Sequence, residues 1–203
     1  MRIRTPAVVI AAGAGVFVLL TLLVWAGAAD GLDGAVARFA AHHETGPGLS
    51  AARVLTDVLS PLVDTLVLLV GAGALSARER RLRPLVVAVC VLAAVSALVV
   101  GVKDAIDRPL PHSHGHPAQG FPSGHTAATA CFLGTLALLA SRNDPRRRRA
   151  LLTIVAALSV LVALALVSAG FHWLTDTVAS LALGAAVIAA FTVDRLGRVL
   201  IDP

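Results

Sequence analysis

His172 and Asp176 stand four residues apart, a spacing that places an imidazole and a carboxylate on one face of a helix. There the carboxylate accepts one ring N–H and fixes the tautomer. The other nitrogen is left free to attack an electrophile or to accept a proton. A second histidine, His125, follows Pro122-Ser123-Gly124 at the start of an apolar run. Ser123 is the expected N-cap of that helix, and Gly124 lets a ligand approach the backbone. The first N–H groups of a helix have no internal acceptor and favour an anion. Lys103 and Arg108 lie shortly before, so two cations, a helix N-terminus and two histidines make a candidate phosphate site. Each piece alone has a plainer reading: a capped helix start, an ordinary turn, an anchoring lysine. His112, His114 and His116, in a loop with Gly and Pro, read as solvated rather than as a metal site, and no metal or cofactor is expected.

The elements that must hold these residues are hydrophobic to an unusual degree. The chain has 203 residues, 57% hydrophobic and 14% charged, with a mean hydropathy of +0.84. Soluble domains carry roughly 25% charged residues. This balance excludes a disordered chain, a disulfide scaffold and a soluble nucleic-acid binder, despite a pI near 10.9. Cys90 and Cys131 fall inside apolar runs and are expected to be buried as small hydrophobes. Six apolar runs, at about 7–29, 58–77, 84–102, 124–140, 150–170 and 176–193, are long enough to predict membrane helices. Ala26-Gly27-Ala28 resembles a signal-peptidase site, but the run before it exceeds a secretory core, so the first helix is read as retained. Residues 30–53 predict a short amphipathic helix on the membrane surface, followed by a turn at Gly46-Pro47-Gly48. Asp64 is the remaining charge inside a run and is placed near its outer end.

Six spans divide the 17 cations unevenly. Thirteen (Arg2, Arg4, Arg78, Arg80, Arg81, Arg83, Arg142, Arg146 to Arg149, Arg195 and Arg198) fall on one side. Arg38, Arg53, Lys103 and Arg108 fall on the other. The positive-inside rule then puts both termini in the cytoplasm. The expectation is an all-α, six-transmembrane-helix bundle forming a single domain over residues 1–203. On its outward face the loop from 103 to 125 and the turn from 170 to 176 bring five of the seven histidines together. Ionisable groups gathered at the edge of an apolar slab mark a site. The chain writes Arg sixteen times and Lys once, and that lysine, Lys103, falls in this group.

The pattern resembles the type 2 phosphatidic acid phosphatase (PAP2) superfamily of membrane lipid phosphatases. That family carries Lys-x6-Arg-Pro, then Pro-Ser-Gly-His, then Ser-Arg-x5-His-x3-Asp. Lys103, the whole of Pro122-Ser123-Gly124-His125, and His172 with Asp176 match in order. The resemblance implies a metal-independent phosphatase working through a phosphohistidine. His172 would attack phosphorus, Asp176 would orient it and His125 would protonate the leaving oxygen. Lys103, with the Ser123 and Gly124 amides, would hold the phosphate oxygens. Two positions depart from the pattern. Leu110 stands where the first motif has Arg, with Arg108 the nearest cation, and Leu166, preceded by Ala165, stands where the third has Ser-Arg. Losing one such donor costs about 3 kcal/mol in a transition state.

Three functions follow as expectations. The first is a plasma-membrane phosphatase acting on lipid phosphates or polyprenyl pyrophosphates at the extracytoplasmic face. Its partners would be a lipid phosphate substrate and membrane lipids, with no nucleic acid. The second is a lipid-phosphate-binding membrane protein of weak or no turnover. The third, weaker than these and set against the solvated reading above, is a histidine-bound metal site in the His112, His114 and His116 loop.

Overall fold

A computed structural model describes residues 4–43, 46–111 and 119–193. The His112, His114 and His116 loop and the cations Arg2, Arg195 and Arg198 lie outside them. The described residues are helical, apart from turns and one bridge between Pro109 and Gln119. In chain order the helices are α1 (Arg4–Trp25), α2 (Asp30–His43), α3 (Pro47–Val58), α4 (Pro61–Glu79) and α5 (Arg83–Ile106). Then come α6 (Gly124–Ala128) and α7 (Gly134–Ala140), made one rod by a π-helical turn over Thr129–Leu133. α8 (Pro145–Ser168) and α9 (Leu174–Ala190) complete the bundle.

Proline opens four of these helices, at the first-turn positions of α3, α4, α5 and α8. Its missing N–H has no helical acceptor to lose there, and its fixed φ suits the first turn. Side chains cap three starts. Ser60 accepts from Val63, Ser123 from Thr126, and Asp144 from both Arg146 and Arg147. The last corrects the expected boundary: helix begins at Pro145, not at Ala150, and takes in Arg146 to Arg149. Cations at a helix N-terminus oppose the dipole, and the Asp144 carboxylate offsets them. The polar stretch expected as one surface helix and a turn forms two helices, α2 and α3, on either side of Gly46.

Four helices are long and apolar enough to cross a membrane: Pro6–Trp25, Gly48–Glu79, Arg83–Ile106 and Pro145–Ser168. Gly124–Ala140 and Leu174–Ala190 are apolar but shorter. Only 17–28% of the four most apolar windows is buried within the chain. Val8, Leu19, Leu22, Leu62, Val70, Val86 and Leu164 all point outward. A surface this greasy suits lipid as its solvent. Cys90 joins it: against expectation it is exposed on the outside of α5, while Cys131 is buried.

Inside, α9 packs along α1 and against the α6–α7 rod. The approach is close because the residues are small. A Cβ on Gly184 of α9 would lie 2.4 Å from the Cβ of Ala130. Around this contact Leu68, Ala72, Ala88, Phe121, Cys131, Leu138 and Ala179 form the core, and Phe17 stacks on Phe121 at 6.4 Å between ring centroids. The short rod and α9 are thus the best enclosed elements. Both begin at the same end of the bundle, and there the chemistry-bearing residues gather.

Candidate active site

α8 ends at Ser168, and the chain turns through Gly170 in the left-handed region at φ 65°. The carbonyl of Leu166 accepts from Phe171 N at 2.8 Å and His172 N at 3.2 Å, so the end of α8 pins the turn that carries His172. α9 starts two residues later. Asp176 sits in its first turn, where Oδ2 accepts the N–H of Trp173 at 3.1 Å and pairs with His172 Nδ1, also at 3.1 Å. His172 therefore lies outside the helix, and the i, i+4 contact is a product of capping rather than of a shared helical face. With Nδ1–H donated to the carboxylate, the Nε2 lone pair is the free one.

The other carboxylate oxygen of Asp176 meets Arg108. Its Nη1 donates to Asp176 Oδ1 at 2.9 Å and to Thr175 Oγ1 at 2.9 Å. Nη2 donates to Asp33 Oδ2 at 2.7 Å and reaches the exposed Asp30 at 3.3 Å. Asp33 also accepts from the N–H and hydroxyl of Thr175. Asp33 and Asp176 are fully buried, and the guanidinium lies 5.2 Å from the ring centroid of Trp173. Arg108 was expected as a phosphate ligand. The structure instead turns its fork inward onto two buried carboxylates, which would be costly to leave unpaired. Asp33, on α2, is a residue that sequence reasoning missed. Its only signal was an acid in an otherwise amphipathic helix.

Lys103 lies in the last turn of α5, and its Nζ donates to the carbonyl of Gln119. An ammonium has two further protons to give. Gly120 N donates to Arg108 O at 2.6 Å, and with the Pro109–Gln119 bridge this closes the neck of the loop between them. Gly120 sits hard against the site: a Cβ there would lie 3.0 Å from Asp176 Oδ2. Ser123 is the N-cap expected of it, with Oγ accepting from Thr126 N. Its own N–H, however, donates to Asp176 O at 3.2 Å, so that amide is not free for a ligand. The N–H groups of Gly124 and His125 are the ones a helix start leaves open.

Asp64 lies in the first turn of α4, at this same end, and accepts from Thr129 Oγ1 at 2.7 Å.

His125 and His172 face one cavity of about 600 Å³. Its other walls are Leu110, Leu166, Ala169, Gly170 and Phe171, together with Leu49, Arg53, Thr56 and Asp57 from α3. The two leucines at the departing motif positions are both in this wall. The structure thus brings the two histidines together on the cavity, stations Asp176 and Arg108 behind His172, and sets Ser123 behind His125.

This architecture has a counterpart among solved structures. The crystal structure of the first transmembrane PAP2 type phosphatidylglycerolphosphate phosphatase, from Bacillus subtilis, superposes with a TM-score of 0.78 at 19% sequence identity. The match covers 94% of this chain and 98% of that one, so the two share a fold. No curated protein sequence matches the chain. The model of the PAP2 superfamily matches residues 82–199, more than half of the chain and the part that holds His125, His172 and Asp176. The chain belongs to the PAP2 superfamily.

Proposed function

We propose that this protein is an integral-membrane phosphatase that hydrolyses lipid phosphates or polyprenyl pyrophosphates at the extracytoplasmic face of the cell membrane. The observation that carries this reading is the His172–Asp176 pair, 3.1 Å apart, with His172 facing the same cavity as His125. His172 Nε2 attacks phosphorus while His125 gives its proton to the leaving oxygen. The product is a phosphohistidine and a free lipid alcohol or monophosphate. Water, deprotonated by His125, then attacks phosphorus and releases phosphate from His172. The open amides at Gly124 and His125 supply donors for the phosphate oxygens, and Lys103, bonded to Gln119 outside the cavity lining, adds positive charge to a dehydrated site where fixed charge acts most strongly. Arg108 acts through Asp176. No metal enters any step.

Six spans with both termini in the cytoplasm accompany this reading. The cation asymmetry supports them, with the two shorter apolar helices completing the count. Phosphatidylglycerophosphate, the substrate class of the Bacillus subtilis protein, belongs in the test panel with phosphatidate and polyprenyl pyrophosphate. A second reading, a lipid-phosphate binder of weak or no turnover, draws on Leu110 and Leu166 in the cavity wall. Phosphate release from that panel by detergent-purified protein, with chelator present, decides between them. The phosphatase reading requires chelator-insensitive release, lost in His172→Ala and in His125→Ala. Retained lipid binding without release from any member supports the second reading.

A further inference from the structure

The cavity that holds His125 and His172 contains a cation that the family motifs do not supply. Arg53 lines it, and neither Lys103 nor Arg108 does. Arg108 is closed off by Asp33 and Asp176, and Lys103 is bonded to Gln119. A phosphate group entering this cavity from the histidine side therefore meets Arg53 as its only lining cation among the described residues.

α3 is built to present that side chain. Leu49, Arg53 and Asp57 follow at intervals of four, which aligns them on one face of the helix, and all three line the cavity. The helix is fixed in place on another side by Ala52, which packs on Ala165 and Ala169, the last of these one residue before the turn that carries His172. Thr56 is buried and donates its hydroxyl to the carbonyl of Arg53. Arg53 is exposed, and no described carboxylate lies within ion-pairing distance of it, Asp57 included. The guanidinium is thus a fork that no described carboxylate neutralises, beside a wall where Leu110 and Leu166 offer no donor.

We propose that Arg53 is a phosphate-binding residue of this cavity, reaching from α3 to hold the phosphoryl oxygens of an anionic ligand presented to His172. This deepens the phosphatase reading and rests on it for the identity of the ligand. Asp57, one turn further on, lines the same wall.

The test uses the full chain in detergent, with inorganic phosphate and vanadate as probes, titrated by tryptophan fluorescence and by 31P line broadening. Wild type binds both probes. Arg53→Ala weakens binding about tenfold or more, as expected for a lost charge-assisted pair. Arg53→Lys, which keeps the charge without the fork, recovers part of it. Thermal unfolding of Arg53→Ala matches wild type, because the side chain is exposed. Equal phosphate affinity in wild type and Arg53→Ala overturns the proposal. If His172→Ala still abolishes turnover in that case, the phosphatase reading stands without it. If Arg53→Ala loses phosphate binding while wild type turns over no lipid phosphate, the Arg53 site stands and the enzyme falls. Absence of phosphate and vanadate binding in wild type overturns the Arg53 site, and lipid-phosphate release alone then decides the phosphatase reading.

Discussion

Replacing Arg108 by alanine separates two roles a buried arginine near an active site can have. The guanidinium is 8% exposed and its two main partners, Asp33 and Asp176, are at 0%. The pairs are short, 2.7 and 2.9 Å, and Thr175 adds a third buried bond. The Asp30 contact reaches a side chain that is 70% exposed and adds little. Removing one partner of a buried ion pair costs about 3–5 kcal/mol, because the charge left behind is neither solvated nor paired. For a chain of this length each kcal/mol is worth about 2–4 °C in Tm, so Arg108→Ala is expected to unfold roughly 6–20 °C lower. Thermal unfolding in detergent, followed by tryptophan fluorescence, reads the shift. Arg108→Ala combined with Asp33→Asn removes one of the stranded charges and should regain part of the loss. A Tm within about 2 °C of wild type, with activity lost, would contradict the reasoning. That result would return Arg108 to the phosphate as a direct ligand.

Three further outcomes follow from the same geometry. Gly124→Ala should fold normally, since the nearest atom to a Cβ there is Pro61 Cγ at 4.0 Å. Its phosphate release should still fall at least about tenfold, as the methyl group crowds a ligand approaching the helix start; unchanged turnover would show that no ligand comes so close. Asp176→Asn replaces the charged acceptor with an amide whose NH2 can face the imidazole and select the wrong His172 tautomer, so turnover should fall by about 10³–10⁴-fold, measured as phosphate release; a loss under tenfold would dismiss the orienting role. Thr129→Val takes away the only partner described for the buried Asp64 carboxylate and should lower stability by about 1–3 kcal/mol in thermal unfolding. An unchanged Tm would mean that Asp64 is satisfied some other way.

What could be read from the sequence was what short spacing encodes. Pro122-Ser123-Gly124-His125 announced a capped helix start, and Ser123 is that cap. His172 and Asp176 were paired correctly for the wrong local reason. The imidazole precedes α9, and a first-turn acid reaching back across the N-cap makes the contact. Helix ends drifted where hydropathy and capping disagree, as at Pro145, where four arginines hid a helical turn that Asp144 begins. Long-range partners were invisible. Asp33 lies 75 residues from Arg108, and no local pattern links a carboxylate in an amphipathic helix to the acid behind His172. Arg53 was legible only as an outer-side cation. Its place in the cavity depends on how α3 packs against the end of α8.

In the proposed mechanism His172 carries the phosphoryl group. This is tested most directly by mixing the purified protein with a 32P-labelled lipid phosphate, quenching within milliseconds to seconds in alkali, and mapping the label. The expected product is an alkali-stable, acid-labile phosphoryl adduct on His172, absent in His172→Ala. Turnover with no labelled protein, or label on any other residue, would contradict it.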